Sequence, residues 1–252
     1  MVAVPDFDSK RSARKPLLMI QAELFAESLP ILFEARVEAS DLILAGLGLG
    51  DHPIETVAVC RDEPLPPAER YAGIVVTGSV AMVADPKPWI GRTAAFLREA
   101  AAADVPALGI CFGHQLLAHA LGGRVDWLAS GPEYASVEVA RAEAAAGDAI
   151  FGDLPERFGA QGCHYQAVMA PPPGASVLAT SESGLQAMRA GRAWGVQFHP
   201  EFDAPVMRLI LDLIAPKLAA SGVDVAANIA GVVETPVAAS VLGRFGAVVR
   251  GA

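Results

Sequence analysis

The sequence has little cysteine, and its cysteines are widely separated. The three residues, Cys60, Cys111 and Cys163, are an odd number without a Cys-x-x-Cys spacing, which predicts neither a disulfide framework nor a structural zinc site. His114 and His119 lie five residues apart on a predicted helix, about 140° around its axis, and cannot share a metal ion. We therefore expect no metal site and at least one free thiol.

Long apolar runs are also missing. Proline, glycine or a charged residue interrupts each candidate before the roughly 20 residues that a membrane-spanning helix needs. Residues 1–15 are polar, and the apolar stretch that follows them, Leu17–Ile20, is far too short for the core of a signal peptide. The sequence therefore predicts a cytoplasmic protein with no membrane partner, in which residues 1–15 form a flexible tail.

Positive charge is scarce as well. Asp and Glu number 28 and Lys and Arg 19, which gives a formal net charge of -9. A nucleic-acid partner is not expected, because phosphate binding needs a basic surface. Hydrophobic residues make up 53% of the chain, enough apolar surface to offset the chain entropy lost on folding. We expect residues 16–252 to form a single domain with a helical extension at its C-terminal end.

Short β-rich runs alternate with helical patterns along the chain. The predicted strands are Leu17–Ile20, Thr56–Cys60, Ile74–Thr77, Ala107–Cys111, Ser136–Val139, Val177–Ala179 and Trp194–Phe198. The predicted helices are Ser28–Leu47, Trp89–Ala103, Gly113–Leu121, Pro205–Leu218 and Val237–Val249, the last with Thr235 as N-cap and Pro236 at the first helical position. This order predicts the α/β class, with a mostly parallel central sheet flanked by helices. The strands and turns between residues 125 and 192 predict an antiparallel extension of the same sheet.

The clearest chemical signal is a Gly-x-Cys-x-Gly sequence between a predicted strand and a predicted helix. This pattern is typical of a nucleophile elbow with cysteine in the serine position. Side chains at Gly109 or Gly113 would collide with a neighbouring strand or helix, and the central residue is held in a strained conformation. Cys111 then stands at a helix N-terminus, which favours the thiolate, and the amide of Phe112 points at any oxyanion formed there. A buried core cysteine is the competing interpretation.

A second signal is the sequence His-Pro-Glu at the end of the last predicted strand. In an extended segment, positions i and i+2 point the same way, so Glu201 is expected beside the ring of His199. A carboxylate at one imidazole nitrogen leaves the other nitrogen to take a thiol proton. A lone histidine is more often structural, but the elbow and His-Pro-Glu together favour catalysis.

These two segments, LGICFGHQ at 108–115 and GVQFHPE at 195–201, resemble the class I (triad) glutamine amidotransferases. The chain is similar in particular to stand-alone proteins related to the amidotransferase domain of GMP synthase and to plant γ-glutamyl peptidases, over about residues 16–250. The resemblance implies a flavodoxin-like fold and an enzyme without a cofactor. It also implies that Cys111 forms a γ-glutamyl thioester, His199 transfers the proton and Glu201 holds His199.

The resemblance also implies an oxyanion hole and substrate contacts. The family's second oxyanion donor comes from a Gly-Gly loop, which here reads Gly78-Ser79, so Ser79 stands where a glycine is common. The backbone N–H of Ser79 still serves, provided that the loop does not demand a positive φ. Gln115 falls where the family contacts glutamine. The family segment whose backbone holds the α-amino and α-carboxyl groups corresponds to Cys163, His164, Tyr165 and Gln166, and Cys163 is expected near the site without being catalytic.

The expected ligand is glutamine or another γ-glutamyl small molecule. The sequence leaves several roles open: a glutamine hydrolase that works alone, a subunit that feeds ammonia to a synthetase, and a γ-glutamyl peptidase. A fourth is a non-catalytic relative that keeps the fold as a binding or regulatory module. The presence of Cys111, His199 and Glu201 together argues against this last role.

Overall fold

The computed structural model of the chain describes residues 14–28, 38–220 and 222–251. The strands within these ranges are β1 (Leu17–Gln21), β2 (Ile54–Ala58), β3 (Gly73–Val76), β4 (Ala107–Ile110), β5 (Arg124–Trp127), β6 (Glu133–Arg141), β7 (Arg157–His164), β8 (Gln166–Ala170), β9 (Ser176–Ser181), β10 (Gly184–Ala190) and β11 (Ala193–Val196). The α-helices in the same ranges are α1 (Phe25–Ser28), α2 (Ala39–Leu47), α3 (Pro88–Ala102), α4 (Phe112–Ala120), α5 (Ala204–Ala220), α6 (Val225–Ala230) and α7 (Pro236–Arg250). Single-turn 3-10 helices occur at Val59–Arg61, Ala68–Arg70 and Glu143–Ala145.

A nine-stranded sheet forms the centre, in the order β2-β1-β3-β4-β11-β10-β9-β6-β7. The strands from β2 to β11 in this order run parallel to one another. From β11 outward the pairing is antiparallel. The predicted α/β class, with a parallel sheet and an antiparallel extension, is confirmed. One part of the prediction is wrong, because β5 and β8 pair with each other in a separate two-stranded sheet.

The parallel strands are buried on both faces, which explains why they read as unbroken apolar runs. In β1, Leu17 and Met19 belong to one apolar cluster and Leu18 and Ile20 to another, as the two-residue period of a strand requires. Side chains of α2 and α7 complete the first cluster, and side chains of α3 and α4 complete the second. The helices therefore cover both faces of the sheet.

Most predicted elements are present, with ends that differ by at most three residues. Helix α2 forms the second half of the predicted helix Ser28–Leu47, whose residues 29–37 lie outside the described residues. Residues 1–13 of the predicted tail also lie outside them. The last helix starts at Pro236 as expected, and Thr235 occupies the N-cap position but makes no side-chain capping hydrogen bond. No helix in the described part of the chain is long and apolar enough to cross a membrane.

The two glycines of the elbow lie where the backbone of neighbouring elements comes close. A Cβ on Gly109 would lie 2.4 Å from the carbonyl oxygen of Gly113, and a Cβ on Gly113 would lie 2.4 Å from that of Val76 in β3. Both distances are far below van der Waals contact, so the collisions expected from the sequence are confirmed. The tight packing of β3, β4 and α4 therefore requires glycine at both positions.

We predict that Gly113→Ala destabilises the protein by about 1–3 kcal/mol, the usual cost of overpacking, because the obstructing Val76 oxygen is backbone. Gly91→Ala is the matched control. Gly91 is exposed in α3 and an added Cβ would meet nothing within 4 Å, so this change should stabilise the helix by up to about 1 kcal/mol. Chemical denaturation of both variants measures the difference. Equal free energies of unfolding would contradict the close approach.

Candidate active site

Cys111 sits at the junction of β4 and α4 in a strained backbone conformation. Its φ is 49° and its ψ is -103°, a region that non-glycine residues adopt only where the surroundings enforce it. The backbone N–H of Cys111 donates to the carbonyl oxygen of Val196, at 2.8 Å, which ties the elbow to the end of β11. The side chain lines a cleft of about 160 Å³. The thiol therefore projects from the end of the parallel sheet into an open space.

His199 and Glu201 lie beside each other, as their spacing predicted, but the predicted route is wrong. Strand β11 ends at Val196, so the two residues lie in the turn that follows and not in an extended strand. The backbone N–H of His199 donates to the carbonyl oxygen of Gln161 in β7, at 2.9 Å. Nδ1 of His199 is 2.8 Å from Oε1 of Glu201. A turn anchored to a second strand thus makes the contact.

The ring of His199 is fixed on two sides. The Phe202 ring stacks on it, with centroids 4.3 Å apart and planes inclined by 6°. The Glu201 side chain is 1% exposed, and a hydrogen bond from Nδ1 to a buried carboxylate sets the tautomer and the ring orientation. This leaves Nε2 free of the bond to Glu201, and Cys111 is close enough for its charge and side chain to act on the imidazole. Sequence reasoning missed Phe202, although it follows Glu201 directly.

The protonation of His199 follows from its surroundings. Burial lowers the pKa of the imidazole, but the charge of Glu201, the charge and hydrogen bond of Cys111 and the hydrogen bond of Glu201 together raise this pKa from 6.5 to about 10. The imidazolium form therefore persists through neutral pH. A cationic imidazolium beside a cysteine is the arrangement that favours a nucleophilic thiolate.

The Gly78-Ser79 loop borders the same cleft. A Cβ on Gly78 would lie 3.0 Å from Cε1 of His199 and 3.7 Å from Cβ of Cys111, so a side chain there would crowd both. Ser79 is not among the described residues with a positive φ. The loop therefore does not demand a positive φ at this position, which was the condition for its N–H to serve as an oxyanion donor. The hydroxyl of Ser79 donates to Oε2 of Glu23, at 2.9 Å. Glu23 is not among the described residues that line the cleft.

The two candidate oxyanion donors are the backbone amides of Ser79, which lines the cleft, and of Phe112, which directly follows Cys111. Within the described residues, neither N–H donates to another protein group. Phe112 is the first residue of α4, where the helix leaves its N–H groups without an internal acceptor. Both amides therefore remain available to a developing negative charge.

Gln115 is buried under the cleft and is not a helix-surface residue. Its Nε2 donates to the carbonyl oxygen of Gln166, at 2.7 Å, and to Oε1 of Gln197, at 3.1 Å. Nε2 of Gln197 in turn lies 3.7 Å from Sγ of Cys111. The amide nitrogen of Gln115 is thus committed to protein acceptors, and only its oxygen is left for a ligand. Sequence reasoning missed Gln197, which stands in the GVQFHPE segment itself.

The segment from Cys163 to Gln166 forms one side of the cleft. The carbonyl oxygen of Cys163 is 3.8 Å from Sγ of Cys111. Burial, with the charges of Cys111 and Glu201, raises the pKa of Cys163 to about 12, so this second thiol stays protonated and is a poor nucleophile. The interpretation of Cys163 as a neighbour without a catalytic role fits this geometry.

A buried network holds that segment. Nδ1 of His164 is 3.0 Å from the carbonyl oxygen of Gln166, and Nε2 is 2.9 Å from Oε2 of Glu133. Burial raises the pKa of Glu133, but hydrogen bonds from His164, Ser183 and Gln186 outweigh it and hold this pKa below its usual value. Through these two contacts, the side chain of His164 therefore holds the segment in place. Nothing in the sequence pattern pointed to Glu133.

The rest of the lining comes from other segments. Among the described residues that contribute to it, the additional members are mostly apolar: Phe25, Ala39, Val80, Ala81, Met82, Tyr134, Ile210 and Ile214, with Lys217 as an added cation. They stand after β1, after β3, in β6 and on α5, and no local pattern could have grouped them.

A family model and several known sequences resemble this chain. The family model of the class-I glutamine amidotransferases matches residues 46–208, more than half of the chain. The chain is 38% identical over 136 residues to a subunit of the glutamine-hydrolysing GMP synthase of Methanopyrus kandleri, covering 53% of this chain and 68% of that one. It is 42% identical over 139 residues to a glutamine-hydrolysing GMP synthase of Aeropyrum pernix, covering 52% of this chain. The chain spans only 24% of the length of that second relative.

Solved structures of similar fold cover nearly the whole chain. A glutamine amidotransferase from Thermotoga maritima superposes with a TM-score of 0.71 at 20% identity, covering 92% of this chain and 96% of that one. A glutamine amidotransferase from Methylobacillus flagellatus superposes with a TM-score of 0.68 at 25% identity, covering 94% and 93%.

We predict that Glu201→Gln lowers the pKa of His199 from about 10, because the largest influence that raises it is lost while burial remains. Since the folded-state pKa lies above the unfolded value, the stability that protonation contributes is fully present below about pH 6.5 and is lost as the pH rises through about 10. In the variant this loss should occur at lower pH. NMR titration of the His199 ring protons measures the shift.

Asp203→Asn is the control for this titration. It removes a charge two residues further along, and asparagine still accepts the hydrogen bond that Asp203 receives from the N–H of Val206. The pKa of His199 should change little in this variant. An equal shift in both variants would contradict the specific pairing of His199 with Glu201.

Proposed function

The chain belongs to the class I glutamine amidotransferase family, and on that premise we propose that it cleaves the γ-glutamyl amide of glutamine or of another γ-glutamyl compound. The observation that carries this proposal is one constellation. Cys111 projects from a strained elbow, it lies close enough to His199 to raise the pKa of the imidazole, and His199 is held 2.8 Å from the buried carboxylate of Glu201. A nucleophile, an acid–base group and an orienting group in this order support acyl transfer through a covalent intermediate.

In the first half of the reaction, the thiolate of Cys111 attacks the amide carbon, and a C–S bond forms. The carbonyl oxygen becomes an oxyanion, and the free N–H groups of Ser79 and Phe112 stabilise it. The C–N bond then breaks as the imidazolium of His199 gives its proton to the leaving nitrogen. Ammonia or an amine departs, and the γ-glutamyl group remains on Cys111 as a thioester.

In the second half, a water molecule attacks the thioester. His199, now neutral, takes the proton of this water, and the C–S bond breaks to release glutamate and the thiolate. Glu201 acts on both halves, because its charge stabilises the imidazolium and its hydrogen bond holds the ring in position. A non-catalytic role would leave the strained backbone at Cys111 without a purpose.

A second candidate activity is hydrolysis of γ-glutamyl amides that carry an organic amine, as a γ-glutamyl peptidase would perform. One observation favours it: much of the lining around the triad is apolar, including Phe25, Met82, Ile210 and Ile214. Glutamine has only a polar NH₂ beyond its amide carbon and offers little apolar surface to these side chains. An amine with an apolar substituent would bury them.

A synthetase is the proposed partner for the first activity. The Methanopyrus kandleri relative is by its name a subunit of a GMP synthase, which supports ammonia supply to another chain. Turnover of glutamine and of γ-glutamyl peptides by the purified protein, with and without an added synthetase, separates the cases. Strong turnover of peptides by the protein alone favours the peptidase, and glutamine turnover that appears only with a synthetase favours the ammonia-supplying role.

We predict that Cys111→Ala abolishes turnover of every γ-glutamyl substrate while the protein stays folded, because no other group can form the thioester. Cys60→Ala is the matched control, since Cys60 is also a free cysteine but packs outside the cleft. It should keep near-normal turnover. Intact-mass spectrometry with a γ-glutamyl chloroketone should show one adduct in the control and none in Cys111→Ala. Turnover above a few per cent in Cys111→Ala would refute the assignment.

We also predict that Glu201→Gln lowers kcat by about a hundredfold or more and changes KM far less. The reason is that the carboxylate stabilises an imidazolium and touches no ground-state substrate atom. Steady-state kinetics with the substrate preferred by the wild type provides the measurement. An effect confined to KM would show that Glu201 binds substrate instead.

A further inference from the structure

The peptide group between Gly78 and Ser79 carries one of the two candidate oxyanion donors, and its carbonyl end is held in place. Because a peptide group is planar, the direction of the Gly78 carbonyl sets the direction of the Ser79 N–H on the opposite side. The Gly78 carbonyl oxygen accepts a hydrogen bond from the hydroxyl of Thr77, at 3.0 Å. The same buried hydroxyl accepts from the backbone N–H of Ala22, at 3.0 Å. The segment that follows β1 therefore anchors the carbonyl end of this peptide.

The next residue along that segment, Glu23, anchors the other end of the peptide. The hydroxyl of Ser79 donates to Oε2 of Glu23, at 2.9 Å, and the backbone N–H of Val80 donates to the same oxygen, at 3.1 Å. Oγ of Ser79 also accepts from the N–H of Ala81, at 3.0 Å. Hydrogen bonds to an ionised acceptor are the stronger kind. One carboxylate thus fixes both the side chain of Ser79 and the backbone that follows it.

Glycine at position 79 would make none of the side-chain contacts. It has no hydroxyl to donate to Glu23, and its backbone populates positive and negative φ about equally. Serine restricts the backbone and directs its hydroxyl to Glu23. Its own N–H lies in a residue that lines the cleft and donates to no other group among the described residues. The departure from the family's usual glycine therefore gives the loop an anchor that glycine lacks.

We propose that Glu23 is a positioning residue of the oxyanion hole, which acts through the hydroxyl of Ser79 and the N–H of Val80 to hold the Ser79 N–H toward the attacked carbonyl oxygen. This inference rests on the proposed function. Glu23 is not among the described residues that line the cleft, so it acts through the loop and not on the substrate. Negative charge develops on the oxygen only as Cys111 attacks. The contact should therefore stabilise the transition state more than the bound substrate.

The test compares Glu23→Ala and Glu23→Gln with the matched control Glu27→Ala. Glu27 lies four residues further along, is exposed, and pairs with Arg61. The charges of Glu23 and Glu27 both act on the thiol of Cys60, so the two alanine variants remove a similar charge from the same region. Only Glu23 holds the loop that carries the oxyanion donor.

With the γ-glutamyl substrate that the wild type prefers, Glu23→Ala should lower kcat by about tenfold and change KM by less than about threefold. This is part of the loss of about 100- to 1000-fold that removal of a whole oxyanion donor causes. Glu23→Gln should recover most of the rate, because its amide oxygen can accept both hydrogen bonds. Glu27→Ala should match the wild type.

A second measurement separates the oxyanion hole from the reactivity of the thiol. Methyl methanethiosulfonate transfers a methylthio group to the sulfur of Cys111 and releases methanesulfinate, so no carbonyl oxyanion forms. Its rate at Cys111, followed by peptide mass spectrometry, should stay within about twofold of the wild type in Glu23→Ala, because the thiolate itself is unchanged. If this rate falls by the same factor as kcat, Glu23 acts on the nucleophile or on the whole site, and the inference is wrong.

A double-mutant cycle tests the route through Ser79. Ser79→Ala keeps the backbone N–H and removes the hydroxyl, and it should lower kcat by about threefold to fivefold. In this background Glu23→Ala should cost only about twofold to threefold more, because the shared contact is already lost and only the bond to Val80 remains. A full tenfold effect of Glu23→Ala in both backgrounds would contradict the route through the hydroxyl.

The outcomes distinguish this inference from the proposed function. If the wild type is active and kcat is unchanged in Glu23→Ala, the inference is wrong although the proposed function stands. Should Glu23→Ala not fold, wild-type kcat in Ser79→Ala would overturn the inference equally. If the wild type turns over no γ-glutamyl compound, the proposed function fails, and the inference fails with it.

Discussion

The parallel pairing of β4 with β11 is the constraint on which the site depends. It sets Gly109 opposite Gly195 and Ile110 opposite Val196, so the cysteine segment and the histidine segment leave the same edge of the sheet side by side. The carboxyl ends of parallel strands are where such sheets bind their ligands. Helix α4 then crosses β11 so closely that a Cβ on Gly195 would lie 2.3 Å from Nδ1 of His114. The His114 ring is fully buried there, and this burial, with a smaller effect of His164, lowers its pKa to about 3, so the ring is neutral.

The site contains several features that are unfavourable in free energy and that the packing around β4 and β11 maintains. Cys111 has a positive φ, Oε2 of Glu201 is buried without a partner among the described residues, and a charged pair is removed from water beside it. Each of these costs free energy by itself. All three adjoin the β4 and β11 pair, in which every residue is buried. The strained and desolvated groups thus lie beside strands that are packed on both faces.

Features formed by contiguous residues could be predicted from the sequence. The elbow and His-Pro-Glu are contiguous, and each carries its own geometric reason. Prediction from the sequence failed where a contact depends on which strands pair in the folded sheet. Val196 and Phe198 both read as strand, yet the pairing with β4 ends at Val196 and Ile110, where the elbow begins, and the contact of His199 with Glu201 forms in a turn. Glu133 reaches His164 only because β6 pairs with β7, and neither position looks unusual in a one-dimensional pattern.

Helix α5 connects the turn of the triad to the lining of the cleft. It begins at Ala204, directly after the turn that carries Glu201 and Phe202, and Asp203 fixes its first turn. One end therefore positions the ring that stacks on His199, while the other end carries Lys217. Further along the same helix, Ile210 and Ile214 line the cleft. The turn that orients His199 and one wall of the cleft are therefore a single continuous segment of chain, so the packing that fixes one also fixes the position of the other.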